Sequence, residues 1–390
     1  MYNIKLMNKI AKVGTDVFDK ATFNVGEEVE APTAIMVRSA KLNGMTFAPE
    51  TVAIARAGAG VNNIDCDDCA NAGIVVFNTP GANANAVKEL TLAALILASR
   101  DVIGGIEWAN TLTDAEGGVA KAVEKGKSAF AGNELLGKTL GVIGLGAIGG
   151  LVANSATKLG MKVIGYDPHL SVNAAWNLSG SIIRAESYDE VFRSSDYLTL
   201  HVPSTPDTKG MVNAKTISLM KDGARVINMA RADLVNVADL KTALAVGKIA
   251  KYVTDFPTED TIRVKNIISI PHLGASTEES EESCAVMAAK ELCDFILYGN
   301  IKNSVNYPAV SVAPSGAPSG NRIAICHKNV ANVLAPITSA ISADGLNIEN
   351  LSNGSKGEFA YTLIETDKPI GSAVSELISK MANVIRVRVI

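Results

Sequence analysis

Short apolar runs bounded by glycine or charge recur along the first part of the chain, at 34–38, 52–57 and 73–77. They lack the polar/apolar alternation of a half-exposed strand, so they predict strands buried on both faces, as in a parallel sheet covered by helices. An apolar helix is expected from 83 toward 108, with a break near 99–105. From 138 the rhythm resumes, with strands expected at 139–143, 162–166, 197–202, 225–229, 251–254 and 266–270 and helical segments between them. That alternation is the pattern of a Rossmann-type, doubly wound parallel sheet. Helical sequence returns over 277–297, and residues 308–320, rich in Pro, Gly, Ser and Ala, read as a linker. Beyond it come strand 321–326, helix 330–342, strands 346–351 and 358–365, helix 372–381 and strand 384–389, the order of a ferredoxin-like α+β module. The chain thus divides into a first domain over 1–100 completed by about 278–305, a second over 101–277, the linker, and a module over 321–390.

With 390 residues, 47% hydrophobic and 19% charged, the chain can fill two or three cores, and fibrous or disordered classes are excluded. The net charge of −4 gives no chain-wide reason to bind nucleic acid or an anionic membrane. The most apolar run, 90–98, contains Thr91 and falls far short of the ~20 residues that span a bilayer. Lys5, Lys9 and Lys12 interrupt the N-terminal apolar stretch, so no export signal is expected. Five scattered cysteines suit reduced thiols in a cytoplasm. Cys66 and Cys69 have no second Cys or His pair beside them, and no metal site is expected.

Chemistry enters at Gly144-Leu-Gly146-Ala147-Ile148-Gly149, which follows a predicted strand and opens a predicted helix. The first glycine permits a tight turn, the second a close approach to a pyrophosphate, and the third close helix–strand packing. Asp167 lies 18 residues past Gly149, near the spacing of an acid that binds a ribose hydroxyl. A carboxylate there repels a 2′-phosphate, and Pro168, His169 and Leu170 offer no arginine to receive one, so NAD is expected over NADP.

Removing a hydride from a carbinol also releases a proton, and imidazole is the side chain suited to take it near neutral pH. His169, His201, His272 and His327 are the candidates. His272 ends a predicted strand, where open α/β sheets hold their ligands.

The second α/β region resembles the D-isomer-specific 2-hydroxyacid dehydrogenases through Gly144–Gly149, His201-Val-Pro-Ser-Thr-Pro-Asp-Thr208, Asn228-Met-Ala-Arg231, Phe256-Pro-Thr-Glu259 and Pro271-His-Leu-Gly-Ala-Ser-Thr277. The resemblance implies a catalytic set of Arg231, Glu259 and His272. It also implies cofactor contacts from His201, Val202, Pro203, Thr208, Ala230 and Asp255 beside the glycine loop. The family places an aspartate two residues before the phenylalanine, where this chain has Thr254 followed by Asp255; sliding the register by one would make Asp260 the acid, and the longer match favours Glu259. A Glu259–His272 hydrogen bond would raise the imidazole pKa and fix its tautomer, while Arg231 offers a planar fork to an α-carboxylate.

Arg56-Ala57-Gly58-Ala59-Gly60, with Arg38-Ser39 and Asn78, is similar to the substrate loops of the family's phosphoglycerate-oxidising branch. This implies a flavodoxin-like substrate domain and oxidation of 3-phospho-D-glycerate to 3-phosphohydroxypyruvate at the entry to serine synthesis. The alternatives are another D-2-hydroxy acid, or an NAD-sensing corepressor-like protein. Lys125 and Lys127 are either a solvated patch or phosphate contacts to a neighbouring chain. The module resembles ACT-type regulatory domains, implying a homodimer or homotetramer. His327 and Asn329 stand where serine-sensitive enzymes bind the amino acid, yet Val330-Ala-Asn replaces the usual Pro-Gly turn, leaving a serine effector open. With the catalytic set upstream, a chain ending at Ala309 is expected to stay active as a smaller oligomer.

Overall fold

The computed structural model describes residues 1–113, 117–313 and 320–390; positions 114–116, and 314–319 of the expected linker, lie outside the described residues. Two compact units emerge, Met1–Asn83 with Glu278–Ile390, and Ala84–Thr277.

In the first unit, β1 (Tyr2–Met7), β2 (Phe23–Gly26), β3 (Ala34–Val37), β4 (Ala53–Arg56) and β5 (Val75–Phe77) form a five-stranded sheet in the order β2-β1-β3-β4-β5. All its pairings are parallel, and the order is the flavodoxin-like one. Every residue of β3 and β5 is buried, as their unbroken apolar runs require. The edge strand β2 and its neighbour β1 are not evident in the apolar pattern, because β1 buries only Ile4 fully and carries a lysine. The helix Glu278–Tyr298 returns to this unit and sets Ala285, Ala288, Leu292 and Phe295 into its core.

In the second unit, β6 (Thr139–Ile143), β7 (Lys162–Tyr166), β8 (Ile183–Arg184), β9 (Tyr197–Leu200), β10 (Ala224–Asn228), β11 (Ile249–Thr254) and β12 (Ile267–Ser269) pair in the order β12-β11-β10-β9-β6-β7-β8. The direction reverses at β6, the doubly wound arrangement expected. Two helices, Ala84–Ser99 and Ala147–Lys158, cover one face through Val87, Leu95, Val152 and Ala156. No helix among the described residues is long and apolar enough to cross a membrane.

The C-terminal strands β13 (Arg322–Lys328), β14 (Ile348–Lys356), β15 (Phe359–Thr366) and β16 (Val384–Val389) make an antiparallel sheet in the order β14-β15-β13-β16. Helices Leu334–Ala343 and Ser372–Ser379 complete the ferredoxin-like order and cover one face through Ile337, Ile341 and Ile378. The other face joins the first unit's core, where Cys326, Tyr361 and Leu363 cluster with Phe77, Phe295 and Tyr307. Arg388 Nη2 donates to Ile296 O at 2.9 Å and Arg386 Nη1 to Thr51 O at 2.6 Å across the same junction.

The start of the expected linker is packed rather than solvated. Val310 and Ile301 exchange backbone hydrogen bonds of 2.8 and 3.0 Å, and Val310 and Val312 are buried. Arg322, buried with Glu365, donates to Val312 O and Ala313 O at 3.3 and 2.7 Å. Alternating valines inside a Pro/Gly-rich composition are the local cause.

Candidate active site

The strand β6 delivers the chain into the glycine loop with Gly144 at φ +87°, a left-handed conformation that disfavours a side chain. Space is equally restrictive: a Cβ on Gly144 would stand 2.5 Å from His201 O, and one on Gly149 would stand 1.9 Å from Gly144 O. Backbone and helix start are therefore held close, and the first amides of the Ala147–Lys158 helix have no side-chain cap. Such a terminus attracts anionic phosphate. Asp167, just past β7, accepts from Leu145 N through Oδ2 and from His169 N through Oδ1, both at 2.9 Å, which fixes the carboxylate beside that loop. It borders a cavity of about 630 Å³ together with Leu145, Pro168, Ile182 and Arg184. Arg184 was not anticipated, because β8 is only a two-residue strand. The cradle fits an adenine dinucleotide: glycines that leave room for a phosphate, an acid fixed beside the glycine loop, and apolar walls.

Loop residues after β9 pack on the same cradle, Val202 Cγ1 lying 2.8 Å from where a Gly144 Cβ would be. Thr208 Oγ1 donates to Pro203 O at 2.6 Å and accepts from Thr205 N at 2.9 Å, closing the His-Val-Pro loop on itself. His201 shares a 2.9 Å hydrogen bond with Thr199 Oγ1, and its Nδ1 is buried without a partner. Burial pushes this imidazole down to about 3, so it is neutral and a poor proton acceptor at neutral pH.

At the end of β10, buried Asn228 shapes the turn that presents Arg231. Its Oδ1 accepts from Ala230 N and Arg231 N at 3.1 and 3.3 Å, while Nδ2 donates to Arg231 O at 2.7 Å. The exposed Arg231 guanidinium donates to Ala230 O at 2.6 Å and sits 5.8 Å from the centroid of Phe256. The imidazole of His272 packs on the same ring, centroids 4.8 Å apart. Phe256 is thus a shared platform for both groups. The Phe256-Pro-Thr-Glu259 motif sets only a register, because nothing in a motif shows which side chains meet on a ring.

His272 is exposed and adopts φ +53°, a strained value for a residue with a side chain. What holds it there is Asp255, 2% exposed, whose Oδ1 and Oδ2 accept from Leu273 N and Gly274 N at 2.8 Å each. Each oxygen of this carboxylate accepts one backbone amide of the loop that follows His272. Thr254 is fully buried, and its Oγ1 accepts from Phe256 N at 3.1 Å. Glu259 is exposed and makes no hydrogen bond to His272 here, contrary to expectation. Its neighbour Asp260 pairs with Lys241 at 3.0 Å.

In the first unit, Arg38 pairs with Glu281 Oε1 at 2.5 Å and its carbonyl accepts from Arg56 Nε at 3.1 Å. Burial pulls the Arg56 pKa down, Cys284 opposes, and the neighbouring Arg38 adds to the fall. Ala57 N donates to Val37 O, Thr79 N to Gly58 O, and Asn78 Nδ2 to Ala59 O at 2.7 Å, so Asn78 braces the loop through Gly60. Asn8, another unanticipated residue, accepts from Ser39 N and Ala40 N at 3.1 and 2.6 Å. Lys127 pairs with Glu124 at 2.6 Å, while Lys125 is exposed. In the C-terminal module His327 is 3% exposed and its ring is engaged by Lys328 O and Thr362 Oγ1 at 2.9 and 2.8 Å. Asn329 is exposed and donates to Gly357 O at 3.0 Å.

Residues 105–274 match the model of the D-isomer specific 2-hydroxyacid dehydrogenase, NAD binding domain. The chain is 31% identical to D-3-phosphoglycerate dehydrogenase 1 of Saccharomyces cerevisiae over 379 residues, covering 91% of this chain and 77% of that one. It is 32% identical over 356 residues to D-3-phosphoglycerate dehydrogenase of Escherichia coli K12, covering 88% of this chain and 82% of the relative. Among solved structures, the NAD⁺-bound 3-phosphoglycerate dehydrogenase of Entamoeba histolytica superposes with a TM-score of 0.60 at 26% identity, over 78% of this chain and 98% of that one. With its glycine cradle, acid and His272 loop, the chain belongs to the D-isomer specific 2-hydroxyacid dehydrogenase family, and its second unit is the NAD-binding domain.

Proposed function

We propose that this chain oxidises 3-phospho-D-glycerate to 3-phosphohydroxypyruvate with NAD. The observation that carries the reading is the meeting of Arg231 and His272 on the Phe256 ring, in the unit that holds the dinucleotide cradle. Bound NAD supplies the hydride acceptor at its nicotinamide ring. His272 takes the hydroxyl proton as the C–H hydride leaves and a C=O bond forms. Arg231 binds the α-carboxylate and the oxygen beside it, orienting the carbinol. Glu259 is the carboxylate that orients the resulting imidazolium, in a hydrogen bond formed in the reacting complex, where such contacts tighten. Gly144, Gly146, Ala147, Ile148 and Gly149 receive the pyrophosphate, Asp167 the adenosine ribose, and the 201–208 loop with Ala230 flanks the cofactor. In the first unit, Arg38 and Arg56 supply cations for phosphate and carboxylate, with Ser39, Asn78 and the amides of residues 57–60 around them.

The names of the relatives support phosphoglycerate as the substrate, and Arg56, which has no carboxylate partner among the described residues, suits an anion. For the C-terminal module we propose an ACT-type role in assembling copies of the chain. A serine effector would have to meet Asn329, since His327 is enclosed within its sheet. The test is NADH formation by purified protein with a panel of D-2-hydroxy acids, phosphorylated and not. The reading expects kcat/KM highest for 3-phosphoglycerate; equal or higher values for D-lactate or D-glycerate overturn it.

A further inference from the structure

A second built site lies in the first unit, along the Glu278–Tyr298 helix. Val286, Met287, Lys290, Glu291 and Asp294 recur at helical spacing and line one side of a cavity of about 370 Å³, bordered on the other by Lys302 and Asn303. Glu291 is its anomaly. The residue is 6% exposed, its Oε1 accepts from Asn303 Nδ2 at 2.6 Å, and its Oε2 is buried with no hydrogen-bond partner. A buried carboxylate oxygen lacking a donor is unfavourable, and a ligand N–H relieves it.

The other charges in the cavity differ from it. Asp294 accepts from Asn300 Nδ2 at 2.9 Å and pairs with Lys302 at 2.6 Å, so these two largely cancel. Lys290 is exposed and has no carboxylate within ion-pair distance among the described residues. The cavity therefore offers one unmet acceptor, one unmet cation and an apolar wall from Val286 and Met287. A metal ion would meet a lone carboxylate oxygen beside lysines, and a simple anion would leave Glu291 unmet. A zwitterion with a short side chain matches all three features.

We propose that this cavity binds a small α-amino acid, its ammonium on Glu291 Oε2, its carboxylate on Lys290 and its side chain against Val286 and Met287. The test is calorimetric titration of the full-length protein with L-alanine, L-serine and L-valine, and with N-acetyl-L-alanine and L-alanine methyl ester. The free amino acids should bind saturably, and each capped derivative should bind at least about ten-fold more weakly, because each loses one charge-assisted contact. Glu291→Gln and Lys290→Met should each weaken binding by a similar factor, with Asn329→Ala leaving the binding of L-alanine and L-valine unchanged. Lys290 is exposed, so its variant reads the site even if Glu291→Gln fails to fold. No saturable binding by any free amino acid overturns the proposal. So does an ester that binds as tightly as the free acid, or binding lost in Asn329→Ala and kept in both cavity variants.

Discussion

Asp255→Ala separates two uses of one carboxylate, since a nicotinamide contact and a brace for the His272 loop fail differently. The side chain is 2% exposed and accepts two backbone amides at 2.8 Å. Gly274 is buried, so its amide loses a charged acceptor outright, about 1.5–3 kcal/mol. Leu273 is 47% exposed, and water recovers most of its amide's loss, leaving about 1 kcal/mol or less. The sum, about 2–4 kcal/mol, lowers the melting temperature of a unit this size by roughly 5–15 °C. His272 holds φ +53° only while that loop is braced, so kcat should fall by roughly 10–100-fold while NAD affinity changes little. Asp255→Asn keeps one carbonyl acceptor and should lose about half as much stability. The measurements are thermal unfolding, NAD titration by fluorescence and steady-state kinetics on each variant. Unchanged melting with a large loss of NAD affinity would refute the brace and return Asp255 to the cofactor.

Other outcomes follow from the same geometry. His272→Ala should cut turnover by ~10²–10⁴ with NAD affinity nearly intact, and near-normal turnover would remove this residue from the chemistry. Asp167→Ala should weaken NAD and admit NADP, because Arg184 lines the same cavity; the gain should vanish in Asp167→Ala/Arg184→Ala, and a gain that survives would exclude Arg184 as the phosphate partner. Burial raises the Glu291 carboxyl to about 7 from 4.5, with Asn303 and Lys302 opposing, so the folded state binds more protons between those values. Its contribution to stability is full below about 4.5 and is lost as pH rises to about 7, at most about 3 kcal/mol; melting curves across that window should be flatter in Glu291→Gln, and parallel curves would contradict the shift. Ending the chain after Ala309 should leave a protein that aggregates or melts well below the full chain; an equally stable, active truncation would show that the module's face is dispensable.

Strands buried on both faces were legible because an unbroken apolar run leaves few other readings, which is why β6 and β7 fall where expected. Strands at or beside a sheet edge were not: β1 and β8 carry charge and partly or fully exposed positions, and their existence depends on a neighbour that sequence spacing does not reveal. The glycine cradle was readable in full, since each glycine answers a local steric demand. Phe256, Asn228, Asn8 and Arg184 were missed as site residues, because their roles arise from contacts across loops. The Glu259–His272 hydrogen bond was expected from pairing chemistry, whereas in the structure Glu259 is exposed and unbonded to the imidazole, and Asp255 braces the backbone of the loop that follows His272.

The C-terminal module shows why linker composition misled. Its central strand β15, Phe359–Thr366, is buried at every position, which a sheet covered by helices on one face alone does not produce. The second cover is the first unit itself: Phe359 and Tyr361 meet Tyr307 at ring-centroid distances of 5.7 and 6.5 Å, and Phe295 meets Tyr361 at 6.4 Å. Independence of a module depends on whether both faces of its sheet are satisfied within it. Pro and Gly between two regions give the chain freedom to turn, and say nothing about the faces that meet after the turn. The apolar content of β15, read on both faces rather than one, was the signal for a docked module, and it predicts that substituting Tyr361 weakens the first unit as well as the module.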